Sequence, residues 1–495
     1  MKRFLKRTMR HVNTKNLPYM IGCVAAVAMV ASLFIGMKQS VWFDEAYSIL
    51  VARHSPSEII SLTAVDTHPP AYYLLLHVWG AMVGWNEFAL RSLSVLAYGG
   101  SIFVAGLLAK RLFGTRAAVI TSIFLLMAPL LMRYGFEIRM YALASLIGVL
   151  ATLCLVAAHE SPRKWWLWVL YGVLVAVGVY TLYYLALLWI AHLVWLLYID
   201  RKQRQTFWRQ SWLWSYAIGI VLFLPWLPTF LKQVNNGALA SIGQPMNFEQ
   251  LIGIVSFNAL YKPLWQISVL ETPLMLYVLV VGCWFVARAY KMQRSTKYLT
   301  LLLLYIGVPV LVLGVVSLFR PMYVERYLSH VAVGLVMLVA CSVAIVWSYD
   351  QSRRVAAMSV SFFLIMALGT LQLMNVGNFN FQRMEHPKVD EVTVSIPSCR
   401  STDTVVAADP YVATELSYYL PASCRMLFYS DTAELGGGYA PFSYSDRRLA
   451  SKNLPLVGQN MWYVYYGQPQ LVPDTSYRRT NISTLGTLTV TRYEK

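Results

Sequence analysis

The chain has 495 residues, 58% of them hydrophobic and 13% charged, with a formal charge of +18 and a mean hydropathy of +0.52. Soluble globular proteins carry about 25% charged residues, so the composition implies an integral membrane protein with one long helical part. The basic excess lies in short connections between apolar runs, as the positive-inside rule expects, and this excludes nucleic acid as a partner.

Residues 1–16 are basic and look like the start of a signal peptide, but the apolar run 17–37 is too long for one and lacks a cleavage motif. It is predicted as the first membrane span. Further spans are predicted at 87–109, 116–132, 138–158, 165–180, 182–199, 212–230, 272–290, 298–318, 327–348 and 354–374, eleven in all. About 20 apolar residues cross a bilayer as a helix. Lys and Arg concentrate in alternate connections, such as 201–209 and 288–297. This places the N-terminus in the cytoplasm and the C-terminus outside a cell (plasma) membrane.

The outer loop 38–86 follows the first span. It opens with the adjacent carboxylates Asp44 and Glu45 and carries a second polar knot, Asp66-Thr67-His68-Pro69-Pro70. Two short amphipathic helices are expected in it, over 45–53 and 71–83. Arg91 sits just inside the next span. Charged groups beside hydrocarbon are costly unless they face water, protein or ligand, and the loop therefore reads as an active site at the membrane surface. The plainer alternative is that Asp44 and Glu45 only cap an interfacial helix. Two other outside connections mix arginine, glutamate and tyrosine: Arg133 to Tyr141, which includes Arg139, and Arg320 to Tyr327, which includes Tyr323 and Arg326. Taken singly, each arginine could be a snorkelling side chain or half of a local Arg–Glu pair. The loop 231–271, with Phe248, Phe257, Tyr261 and Trp265, suits a flap lying partly in the membrane surface.

From residue 375 the apolar runs shorten. Strands are expected at 404–408, 425–429, 461–466 and 484–493, a helix at 411–420, and a loop at 436–438. This alternation predicts a small α/β domain over 375–495. Cys399 and Cys424 each precede a strand and, in an oxidising outer compartment, would form a disulfide.

No phosphate loop, dinucleotide fingerprint, zinc spacing or Ser/His triad is present in the sequence. What remains is carboxylates, arginines and a greasy surround. A carboxylate can act as general base on an acceptor hydroxyl. Arginines can hold a departing phosphate in bidentate fashion. Together these suit group transfer from a lipid phosphate.

The carboxylate pair after the first span, the Asp66-to-Pro70 element, Arg91 and Arg326-Tyr327-Leu328 resemble the GT-C glycosyltransferases. The similarity is greatest to the family 39-like branch of protein O-mannosyltransferases and lipid A aminoarabinose transferases. That resemblance covers residues 1–374. It implies an α-helical polytopic membrane protein of GT-C type with a small extracytoplasmic α/β domain. It also implies a polyprenyl-phosphate sugar donor, inversion at the anomeric carbon, and a glycan, lipid or protein acceptor amid membrane lipids. Asp44 would be the base or metal-linked carboxylate, with Glu45 and Asp66 supporting it. His68, Arg91, Arg133, Arg139, Tyr141, Arg320, Tyr323 and Arg326 would bind substrate or its phosphate. His68 stands where the aminoarabinose branch has lysine. No cofactor is fixed by the sequence; a divalent cation is the one that Asp44 and Asp66 could hold. The competing classes are a lipid or sugar transporter or flippase, and a non-catalytic assembly subunit. A transporter places polar groups near the bilayer midplane, whereas here His192 is the main mid-span polar residue and reads as a buried, hydrogen-bonded one.

Overall fold

A computed structural model describes residues 15–201, 210–236, 245–262, 267–375, 389–394, 396, 403–421, 423–453, 460–471, 478–485 and 487–494. Helix α1 is Leu17–Gly36, and three short helices follow it: α2 Phe43–Ala52, α3 Pro56–Ala64 and α4 Ala71–Val83. The sequence reading foresaw two of the three. Helix α3 exists because Ser55-Pro56-Ser57-Glu58 forms a capping box, in which the Ser55 N–H donates to Glu58 Oε2 at 2.9 Å.

The chain continues through α5 Glu87–Phe113, α6 Thr115–Leu126 and α7 Pro129–Tyr134. The predicted span 116–132 is thus broken. Pro129 forces its predecessor out of the helical region, and Ala128 is extended at φ −89°, ψ 102°. Then come α8 Tyr141–Glu160, α9 Trp165–Thr181, α10 Leu185–Asp200, α11 Ser211–Phe223, α12 Leu227–Asn235 and α13 Phe248–Ala259. Helices α9 and α10 are separate because Leu182 is extended between them. Of the expected flap, residues 237–244 and 263–266 lie outside the described residues. Helices α14 Thr272–Met292, α15 Lys297–Ser317, α16 Ser329–Tyr349 and α17 Arg353–Asn375 complete the apolar part, and a short α18 is Val389–Val394. Every predicted span falls on helix. Among the described residues eight helices are long and apolar enough to cross a membrane, while α6, α9 and α10 are shorter.

The chain divides into two compact units: residues 1–34 with 91–375, and residues 35–90 with 376–495. The outer loop therefore groups with the C-terminal part rather than with the spans that flank it in sequence.

The helical unit is built around α16, which is buried along nearly its whole length and packs on α6, α8, α14 and α15. A helix apolar on all sides requires such a place. Helices α9 and α11 approach closely through glycine. A Cβ on Gly172 would lie 2.6 Å from the Ser215 carbonyl oxygen. Small residues at such crossings let membrane helices touch backbone to backbone. The buried His192 bonds Thr152 Oγ1 and the Tyr171 hydroxyl, each at 3.0 Å, and Tyr171 continues to Tyr216 at 3.1 Å. Both ring nitrogens are therefore satisfied in a structural network, as the sequence reading expected.

The second unit holds a six-stranded sheet in the order β3-β2-β1-β4-β6-β5. Its strands are β1 Thr404–Ala407, β2 Arg425–Tyr429, β3 Arg448–Leu449, β4 Asn460–Tyr466, β5 Arg478–Leu485 and β6 Leu488–Glu494, with helix α19, Pro410–Tyr419, between β1 and β2. The first four strands run parallel, and β6 and β5 close the far edge antiparallel. Both faces are covered, as parallel strands require. Val405 and Ala407 pack with Leu416, Phe428 and Trp462 on one face, and Val406 packs with Leu427 and Tyr463 on the other. The single strand expected at 484–493 takes in instead the end of β5 and most of β6. Leu485 of β5 pairs with Leu488 of β6 in antiparallel register.

Candidate active site

In the sheet-bearing unit the carboxylates open α2. Trp42 is extended at φ −99°, ψ 176°, and the helix starts at Phe43, so Asp44 and Glu45 both fall in the first turn. Helix dipoles favour negative charge there. Asp44 is half-buried, whereas Glu45 is buried. Tyr47, one turn on, meets Tyr73 of α4 edge to face at 5.9 Å. The polar knot between α3 and α4 is compact and buried at its ends. His68 Nδ1 lies 2.8 Å from Thr67 Oγ1 and 3.4 Å from Asp66 Oδ2. Asp66 thus orients the His68 ring.

In the helical unit Arg91 and Arg133 share one aromatic neighbour. Arg91 is fully buried, and Arg133 and Arg139 are 3% and 2% exposed. Phe136 sits among them, 5.9 Å from the Arg91 guanidinium and 5.1 Å from that of Arg133. The buried Glu137 pairs with Arg133 at 3.6 Å. The Ser94 hydroxyl, one turn from Arg91, donates to the Glu137 carbonyl and so ties α5 to this connection. Tyr141 meets Tyr134 at 5.2 Å and Tyr327 at 6.2 Å, and the Arg326 guanidinium lies over the Tyr327 ring. Burial raises the Tyr134 phenol well above its usual range, with the Glu325 carboxylate adding to it. Burial likewise raises Tyr261, against the pull of Arg133. Both phenols stay protonated donors at neutral pH.

Two further predicted residues bond to the main chain of neighbouring helices. Arg320 is exposed and donates to the Val234 carbonyl at 2.9 Å, where it caps α12. Tyr323 is buried and its hydroxyl reaches the Gln250 carbonyl of α13 at 3.5 Å. Glu137, Glu325 and Tyr261 interact with this group and were not proposed from the sequence as site residues, while Tyr327 entered there only through the Arg326-Tyr327-Leu328 element. Glu137 lies inside the quoted arginine–tyrosine stretch, so its signal was present. Tyr261 carries none, because a lone tyrosine in a long loop looks like interfacial packing.

A cavity of about 320 Å³ also opens within the helical unit, lined by Phe124, Asn258, Gly282, Cys283, Val339 and Phe362 among others. It is apolar apart from the Asn258 amide. Among the described residues no group of three or more His, Cys, Asp or Glu side chains is arranged to hold a metal. Cys424 is disulfide-bonded, while Cys23, Cys154, Cys283 and Cys341 are free. Its expected partner, Cys399, lies outside the described residues.

A family model described as dolichyl-phosphate-mannose-protein mannosyltransferase matches residues 67–228. No curated protein matches the chain significantly in sequence. Among solved structures, the chain is similar to ArnT from Cupriavidus metallidurans bound to undecaprenyl phosphate, at 15% identity and a TM-score of 0.60, covering 95% of this chain and 97% of that one. The same protein in its apo state gives 14% identity, a TM-score of 0.61 and the same coverage. The archaeal oligosaccharyltransferase AglB from Archaeoglobus fulgidus, in complex with an inhibitory peptide and a dolichol-phosphate, is similar at 11% identity and a TM-score of 0.52, over 90% of this chain and 69% of that one.

Proposed function

We propose, from the premise that this multi-pass membrane chain has the GT-C glycosyltransferase fold, that it moves a sugar from a polyprenyl-phosphate donor to an acceptor hydroxyl on the outer membrane face. The observation that carries the reading is the burial of Arg91, Arg133 and Arg139, with Arg91 and Arg133 both set against the Phe136 ring. Guanidiniums held in place by burial suit an anionic ligand, because each presents a planar fork of donors that matches a phosphate. The matched solved structures carry undecaprenyl phosphate and a dolichol-phosphate, which are anions of this class. The apolar cavity suits an isoprenoid tail.

In this reading Asp44 takes the proton from the acceptor hydroxyl. The hydroxyl oxygen then bonds to the anomeric carbon from the side opposite the phosphate, and the carbon–oxygen bond to the phosphate breaks. Polyprenyl phosphate departs with that electron pair, held by the arginines. Glu45 and Asp66 support the base, and His68 assists with the phosphate. Residues 1–374 carry the membrane catalytic part and 375–495 an extracytoplasmic domain. The sugar is a hexose or a pentose. The decisive experiment incubates purified protein with a panel of polyprenyl-phosphate hexoses and pentoses and measures release of polyprenyl phosphate. Asp44→Asn keeps the shape and removes the basicity, so turnover should fall by about 10²–10⁴-fold with donor binding retained. No release from any donor, or an active Asp44→Asn, would remove the assignment.

A further inference from the structure

The segment just before Asp44 is gripped by residues from the far end of the chain. The Phe43 ring stacks on Tyr411 at 4.5 Å with the planes 6° apart, and Tyr439 meets it edge-on at 5.5 Å. Gly438 completes the wall; a Cβ there would come 3.2 Å from the ring, closer than an ordinary contact. Tyr411 is itself braced, for Tyr466 of β4 meets it edge-on at 6.0 Å and the Tyr466 hydroxyl donates to Glu415 at 2.6 Å. Two residues before Phe43, the Val41 N–H donates to the Tyr419 hydroxyl at 2.6 Å, and that hydroxyl donates to Glu87 at 2.7 Å. The Ser40 hydroxyl donates to the Asp390 carboxylate. At the other end of α2, the Arg53 guanidinium lies 5.6 Å from the Trp85 ring and 5.8 Å from that of Tyr418.

We infer that Tyr411, with Tyr439 and Gly438, positions the reacting carboxylate by fixing the roll of α2 through Phe43. This rests on the assignment of Asp44 as base. Phe43 and Asp44 are consecutive on a helix, so their side chains leave the axis about 100° apart and turn together. A side-chain tip about 6 Å from the axis moves about 1 Å for a roll of about 10°. A misplacement of about 1 Å at a reacting group can cost about 10²-fold in rate. A flat ring stacked on one face and blocked on an edge resists that roll. An aliphatic contact of the same volume would let it slide. The C-terminal domain thus acts as a template for the catalytic helix, and the ring of Tyr411, rather than its hydroxyl, carries the effect.

The test uses the full-length protein and three variants, Tyr411→Leu, Tyr411→Phe and Gly438→Ala, with Asp44→Asn as control. Backbone amide exchange over residues 41–48 needs no substrate and reads the grip directly. It should quicken by roughly tenfold in Tyr411→Leu and stay at the wild-type rate in Tyr411→Phe. With the donor that the wild-type chain turns over in the panel, Tyr411→Leu should lose kcat by about 10- to 100-fold with the donor KM within about twofold. Tyr411→Phe should restore kcat, and Gly438→Ala, which pushes on the ring from the other side, should lower it. Unchanged exchange in Tyr411→Leu overturns the grip. Altered exchange with wild-type kcat in both Tyr411→Leu and Gly438→Ala overturns the positioning role, as does a KM that rises in step with the loss. Should Tyr411→Leu not fold, Gly438→Ala with wild-type kcat and exchange overturns it alone. An active Asp44→Asn would instead sink the choice of base while leaving the exchange result standing, so the two failures are distinguishable.

Discussion

Arg91, Arg133 and Arg139 differ from ordinary membrane-edge arginines in being buried rather than snorkelled. A guanidinium reads phosphate through a planar fork of donors, which an ammonium lacks. Arg91→Lys and Arg139→Lys should therefore weaken binding of undecaprenyl phosphate although the charge is kept. Loss of one charge-assisted hydrogen bond costs about 1.5–3 kcal/mol, or roughly 10- to 150-fold in affinity, readable by titration calorimetry in detergent. Arg320→Lys, at an exposed helix cap, should leave that affinity unchanged. Equal losses in all three would show a general electrostatic effect rather than a site. A second residue-scale prediction concerns Glu271. Burial pushes this carboxyl up, but Lys262 at 2.7 Å, together with Ser268 and Gln372, holds it down at about 2 against an ordinary 4.5. A depressed carboxyl adds stability that is complete above the unfolded value and lost as pH falls through the folded one. The thermal midpoint should therefore decline between pH 4.5 and about 2, and Lys262→Met should flatten part of that decline. The effect is small, because the pair is partly solvated.

At the scale of elements, the contact of α9 with α11 depends on the missing side chain of Gly172, where a Cβ would meet the Ser215 carbonyl at 2.6 Å. Backbone cannot yield as a flexible side chain can, so Gly172→Val should separate the two helices and lower the thermal midpoint in detergent by several degrees. Gly307, inside α15, has open space around it. Gly307→Ala should leave the midpoint in place, and an equal fall in both variants would refute the close-approach account. Elements were legible in the sequence where one local cause decides them. Hydropathy marked every span, and β2 at 425–429 emerged with the expected bounds. Reading failed where a single residue interrupts a good pattern. Pro129 cuts the run 116–132, and the run 484–493 takes in the end of β5 and most of its antiparallel partner β6. The missed helix α3 was signalled by its capping box, but that signal is only four residues long. At the site, Arg91, Arg133, Arg139 and Arg326 were each marked in the sequence because outside connections seldom carry arginine, whereas the Phe136 ring that Arg91 and Arg133 share comes only with the fold. The grip on Phe43 could not be read, since Tyr411 and Tyr439 are unexceptional tyrosines hundreds of residues away and only the fold brings them together.

For the whole molecule, the orientation in the membrane is open to a direct check, and two independent physical causes bear on it. The first is charge. Lys and Arg resist translocation, so connections rich in them stay in the cytoplasm; the stretches 201–209 and 288–297 are such connections. The second is redox chemistry. A disulfide persists in an oxidising compartment and is rare in a reducing one. Cys424 is bonded, whereas the four cysteines of the apolar segments are free. On both grounds the expected place of the C-terminus is outside the cytoplasm. A phosphatase that folds only after export, fused after Lys495, should therefore be active, and the same enzyme fused after Arg201 should be silent. Thiol labelling of the non-reduced, denatured protein should find Cys424 blocked and should find it released by reductant. Labelling of Cys424 without reductant, together with a silent C-terminal fusion, would place the domain in the cytoplasm. Asp44 would be affected by the same result. The loop that carries it belongs to the unit containing the sheet, so, with Asp44 as the proposed base, the side on which the acceptor would be met follows the side on which Cys424 is oxidised.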